Sequence, residues 1–137
     1  MNSILTPILA LVAWTLVVWI WMYATRIPAM QKQKLDPQAA AHPGSLDVLP
    51  SSVRAIADNY NHLMEQPTIF YALVVYLHLT QQGDPINIDL AWAYVALRVV
   101  HSLIQNTANL VPLRFLVFSL STLPLFAMAA RAALSLF

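Results

Sequence analysis

At 137 residues, with 59% apolar and only 9% charged side chains, the chain cannot build a water-facing surface, since soluble domains carry about 25% charged residues. The net charge of +1 and the scattered Lys and Arg exclude a nucleic-acid surface. The absence of Cys excludes disulfides, thiolate metal sites and a thiol redox relay.

The first charged side chain is Arg26. Before it lies an uncharged run rich in Trp14, Trp19, Trp21 and Tyr23. A helix of about 20 apolar residues crosses a bilayer core. A cleaved signal would show a basic start and a shorter apolar stretch, so a retained first helix over about 3–26 is expected. Residues 27–52 are polar and hold Pro28, Pro37, Pro43, Gly44 and Pro50, which marks a loop. Ser51 and Ser52 are candidate N-caps. The second helix is expected over about 53–80, followed by a short turn at Gly83-Asp84-Pro85. The third runs over about 89–110 and the fourth over about 112–136. Pro112 suits a first helical turn, and Pro124 bends the fourth helix.

The expectation is an all-α integral membrane protein, a bundle of four transmembrane helices in a single domain over 1–137. Lys and Arg near helix ends set orientation. Arg26, Lys32, Lys34 and Arg54 attend the first connection and Arg114 the third, while the second has none. The first and third connections then lie in the cytoplasm and both termini outside it. Arg131 opposes this weakly and snorkels to the far interface.

Function has to sit on the few ionisable residues kept within the helices. Arg54, Asp58, Asn61 and Glu65 stand at offsets 0, 4, 7 and 11. At about 100° per residue they form one stripe, roughly 60° wide and about 16 Å long. Arg98, Ser102, Gln105 and Asn109 repeat those offsets on the third helix, flanked by His101 and extended by Tyr94. The two helices run antiparallel, so Glu65 and Arg98 fall at similar depth and are candidates to pair. A charge at the bilayer centre costs about 2.5–3.5 kcal/mol on insertion scales, so these residues face the bundle interior or a wet cavity. A structural pair accounts for two residues. A polar crevice open to the cytoplasm accounts for both stripes. His62 lies beside the crevice, whereas His78 and His42 read as interfacial and solvated. No HExxH or paired-His spacing occurs, so no metal site is expected.

The stretch from Asn59 through His62, Glu65 and Pro67 to Tyr71 resembles the second-helix motif of the MAPEG family, the membrane-associated proteins in eicosanoid and glutathione metabolism. The stretch Leu97-Arg98-Val-Val-His101-Ser102-Leu-Ile-Gln105, followed by Asn109 and Arg114-Phe115, resembles the third-helix motif of a bacterial branch. The resemblance implies a homotrimer of four-helix subunits in a bacterial inner membrane. It implies glutathione held between subunits near the cytoplasmic side, as co-substrate for transfer to an apolar small molecule or for reduction of a lipid peroxide. The resemblance implies Arg54, Asn61 and Glu65 as binding residues, to which the polar stripes add Asp58, His62, Arg98, His101 and Gln105. Arg114 or Arg26 would stabilise the thiolate. Characterised members place Asn three residues before the Glu, where His62 stands here, and carry third-helix tyrosines where His101 and Gln105 stand. The alternatives are a non-enzymatic trimeric scaffold or lipid-binding protein, and a small transporter. The transporter is disfavoured because the outer helices lack a central ionisable residue.

Overall fold

The computed structural model describes residues 3–42 and 44–137. It is all-helical, with α1 (Thr6–Lys32), α2 (Ser51–His62), α3 (Gln66–Leu79), α4 (Pro85–Asn106) and α5 (Val111–Leu134), and a short 3-10 turn at Pro37–Ala40. The expected second helix is thus two helices. Pro67 explains the break. It has no N–H to offer the Leu63 carbonyl, and its ring excludes that carbonyl. Residues 63–65 turn instead, and Pro67 sits in the first turn of α3 where its missing donor is harmless.

Other boundaries also move. α1 runs on past Arg26 to Lys32 with Pro28 inside it. A proline removes one helical hydrogen bond, which a long helix survives. α1 stops where Lys34 takes a positive φ of 55°. Ser51 and Ser52 are not caps, since Pro50 occupies the N-cap of α2 and no side chain closes it. α4 begins earlier than expected because the Asp84 carboxylate accepts from the Asn87 N–H at 2.8 Å. It ends at Asn106, leaving Asn109 beyond the helix at φ 49°. Pro112 lies in the first turn of α5 as expected, and Pro124 inside it.

Packing follows one stripe per helix. Leu11, Thr15, Val18 and Met22 recur at helical spacing and are the buried face of α1. Leu11 and Val18 meet Phe70, Val74 and Leu77 of α3, Ala91, Tyr94 and Val95 of α4, and Leu125, Met128 and Ala132 of α5 in one core. Met22 packs with Ile56 and Ala57 of α2 in a second, smaller one. α4 and α5 share the most extensive contact, while α2 lies against α1 and α4. The outward faces are apolar too: Leu9 is 68% exposed and Phe126 70%. Such continuous apolar exposure suits lipid rather than water. α1 and α5 are the helices long and apolar enough to cross a membrane, with mean hydropathies of 1.9 and 1.7.

The two ends of the bundle differ. At one, the loop folds back on α2: the Gln33 side chain donates to the Val48 carbonyl at 3.2 Å and Arg54 to the Asp47 carbonyl at 3.2 Å. At the other, Arg131 pairs with Asp84 and donates to Asn87 at 3.0 Å, tying the end of α5 to the start of α4.

Candidate functional site

The polar stripe of α4 faces inward. Tyr94, Arg98, Ser102 and Gln105 are all buried, and His101 beside them is 4% exposed. Helical spacing puts them on one face of α4, which packs against α1, α2 and α5. Ser102 donates to Asn59 Oδ1 at 3.1 Å, and Asn59 Nδ2 donates to Asn106 Oδ1 at 2.9 Å. This network joins α2 to the end of α4. One turn on, His62 Nδ1 lies 3.1 Å from Gln105 Oε1, so the imidazole donates from Nδ1 and presents Nε2 elsewhere.

Arg98 is the centre of the site. Its side chain is fully buried. One guanidinium nitrogen, Nη2, donates to the His62 carbonyl at 3.4 Å, at the exposed end of the α2 hydrogen-bond ladder. The plane lies 5.6 Å from the Phe118 ring centroid. Nε and Nη1 have no partner among the described residues, nor does Nδ1 of His101. These groups border a cavity of about 270 Å³ lined by His62, Glu65, Gln66, Arg98, His101 and Arg114, with Val111, Phe115 and Phe118 as its apolar side. Arg114 is half-buried and held in place by Asn109, whose Oδ1 accepts from Nη1 at 2.8 Å.

A second cavity, of about 450 Å³, opens between the loop and α2. Arg26, His42, Asp47, Arg54, Asp58 and Asn61 line it. The expected site residues therefore fall into two groups. His62, Glu65, Arg98, His101 and Arg114 share the smaller cavity; Arg26, Arg54, Asp58 and Asn61 share the larger. Gln105 borders neither and stands behind His62.

The expected pair of Glu65 with Arg98 is not formed. Among the described residues the one ion pair is Arg131 with Asp84. Glu65 sits in the turn, at φ −89° and ψ −93°, and is exposed. A shared depth for the two charges requires a continuous helix, and the break sets Glu65 in an exposed turn between α2 and α3. Asn59, Gln66, Asn106 and Phe118 take part without having been candidates from the sequence. Asn59 and Gln66 were visible as amides beside the stripe, in positions that an unbroken helix would aim elsewhere. For Phe118 no signal distinguishes it from the other apolar residues of α5.

A model of the MAPEG family matches residues 4–134. The chain belongs to the MAPEG family. No curated protein and no solved structure matches it. This MAPEG chain is accordingly a membrane protein of the group associated with glutathione and eicosanoid metabolism. The match spans α1 to α5, including the polar stripe of α4 and both cavities. What this MAPEG site offers chemically is an excess of hydrogen-bond donors beside aromatic and aliphatic surface, an arrangement suited to an anion carrying or meeting an apolar group.

Proposed function

We propose that this protein is a homotrimeric enzyme of four membrane spans, with α2 and α3 forming one of them, that binds glutathione between subunits and directs its thiol at an apolar electrophile or lipid peroxide. The observation that carries the reading is Arg98: a buried guanidinium with Nε and Nη1 unpartnered, on the wall of a cavity that also holds Arg114. Buried charges are normally paired, so an anionic ligand is the missing partner. Arg98 and Arg54 hold the carboxylates of the tripeptide, and Glu65 takes its ammonium group. Asp58, Asn61, His62 and His101 complete the polar contacts, with Gln105 steadying His62. Glutathione reacts as thiolate, and a neighbouring guanidinium favours that form. Arg114 suits this role better than Arg26, because it shares the cavity of Arg98 and Glu65. The exposure of Arg54, Asp58, Asn61 and Glu65 in a chain otherwise faced with apolar side chains supports a neighbouring subunit as their cover.

Isothermal titration of the purified protein with reduced glutathione, beside ultraviolet thiolate absorbance, tests this. Wild type is expected to bind at millimolar ligand or below and to gain thermal stability from it. Arg54→Ala loses the thermal gain with little change in the unliganded midpoint, because Arg54 lies at the exposed end. Arg114→Ala keeps binding and loses the thiolate absorbance. No heat and no thermal gain with glutathione would remove the enzyme reading and favour a trimeric scaffold or lipid-binding protein, whose headgroup occupies the same donors.

Topology is a separate expectation: an inner-membrane protein with both termini outside the cytoplasm. A cysteine placed at Lys34 or Ala108 is labelled from the cytoplasmic side alone, and one at Gly83 from the other side alone. The labelled protein has the mass of three chains in mild detergent. Labelling of positions 34 and 83 from one side, or a monomer that still binds, would overturn this arrangement.

A further inference from the structure

Behind the cavity runs a directed chain of hydrogen bonds. The Tyr94 hydroxyl donates to Gln66 Oε1 at 3.1 Å. Gln66 Nε2 donates to Thr122 Oγ1 at 3.1 Å. Thr122 Oγ1 in turn lies 3.0 Å from the Phe118 carbonyl and donates to it. A threonine hydroxyl has one proton. With that proton given to Phe118, the Thr122 oxygen only accepts, and the group facing it has to be a donor. The amide of Gln66 is therefore fixed at both ends: nitrogen toward Thr122, oxygen toward Tyr94. A flipped amide would set its oxygen against the accepting Thr122 oxygen. Tyr94 is itself rigid, fully buried and stacked on Phe70 at 4.5 Å between centroids.

An amide nitrogen has two N–H groups. Thr122 takes one. The other has no acceptor among the described residues, and Gln66 borders the cavity beside Arg98, His101 and Arg114. We propose that Gln66 contacts the bound anion through this second N–H, and that Tyr94 and Thr122 are positioning residues which hold its amide as a donor and not an acceptor. The function of the trio is ligand selection. An amide free to rotate would offer oxygen as readily as nitrogen, and an oxygen in that place repels a carboxylate. Pinned, it adds a neutral donor to the charged ones of the arginines, and it does so at fixed direction. The inference rests on the glutathione reading only for the identity of the ligand; the sense of the amide is independent of it.

The test is a set of titrations with two probes, reduced glutathione and decanoate. Gln66→Met raises the dissociation constant of each bound probe about tenfold or more, the range for a hydrogen bond to a charged group. Tyr94→Phe and Thr122→Val each raise it about threefold or more, and Thr122→Ser restores wild-type affinity. In the Gln66→Met background, Tyr94→Phe and Thr122→Val have no further effect, because the group they act through is gone. A purely structural role would leave their penalties intact in that background, and that result overturns the proposal. So does unchanged affinity in Gln66→Met, or failure of wild type to bind either probe. If glutathione fails and decanoate shows the full pattern, the glutathione reading falls and the role of Gln66 stands. Should Tyr94→Phe not fold, Thr122→Val, which keeps the side-chain shape, asks the same question.

Discussion

Replacing Arg98 by Met is expected to leave the unliganded protein as stable as wild type or more so, while removing nearly all affinity for an anionic ligand. The two halves of that result have one cause. Among the described residues Arg98 is buried without an acidic partner, and two of its nitrogens are unpaired. Exchanging even a whole buried ion pair for apolar residues of similar volume is often neutral or stabilising by about 1–4 kcal/mol, and an unpaired guanidinium has less Coulombic attraction to lose. The hydrogen bond to the His62 carbonyl is long, at 3.4 Å, and its loss is small beside the relief of desolvation. Contact with the Phe118 ring passes to the Met side chain. For the ligand the loss is large: deleting one partner of a buried, hydrogen-bonded charge pair costs about 2–5 kcal/mol. Thermal midpoints with and without glutathione measure both halves. A midpoint well below wild type in the absence of ligand would mean that Arg98 is a structural member of the bundle. Glu65→Gln is the companion measurement. Because Glu65 is exposed and unpaired, it is expected to leave the unliganded midpoint nearly unchanged and to weaken glutathione alone.

The second large effect belongs to Asn59. It is fully buried, accepts from Ser102 and donates to Asn106. Asn59→Leu keeps the branched shape of the side chain and strands both partners. Each buried polar group left unsatisfied costs about 1–3 kcal/mol, so the variant loses a large part of the stability of a marginally stable fold. Adding Ser102→Ala and Asn106→Leu removes the stranded groups and is expected to recover most of the loss. Unfolding in mild detergent, followed by circular dichroism against temperature, reads the difference. A triple variant no better than Asn59→Leu would show that packing, and not polar satisfaction, governs this joint.

How far the sequence speaks depends on which physical rule decides each feature. The all-helical membrane class follows from the charge deficit and from apolar runs of about 20 residues, since a barrel strand would show a shorter, alternating segment. Spacing puts the polar side chains of α4 on one side, because offsets 0, 4 and 7 share a face of any straight helix. It does not say where that face points: the same offsets on α2, Arg54, Asp58 and Asn61, are exposed. Tyr94, Arg98, Ser102 and Gln105 extend or supply the stripe of α4, and all are buried. The second helix is where local reading stops. A proline inside a membrane helix either bends it or ends it, and the choice depends on what receives the freed carbonyls. Here the turn N–H of Glu65 takes the His62 carbonyl at 3.2 Å, and Arg98, distant in sequence, donates to the same carbonyl at 3.4 Å. That contact is invisible in the segment around Pro67, and every statement that assumed continuity there, the Glu65–Arg98 pair above all, changed with it. The long extension of α1 through Pro28 shows the opposite outcome for the same residue type.

The concentration of hydropathy in α1 and α5 bears on how the chain enters its membrane. Insertion is decided largely helix by helix as segments leave the ribosome, on the balance of apolar gain against charged cost. α2 carries Arg54 and Asp58, and α4 carries Arg98 and Asp89, so each is a poor substrate for solitary insertion. α1 emerges first and offers its Leu11–Met22 face as a wall against which α2 can settle. α4 then waits for α5, its principal neighbour, to cover the side that carries Arg98. A nascent chain stalled before residue 111 therefore holds Arg98 without the cover of α5.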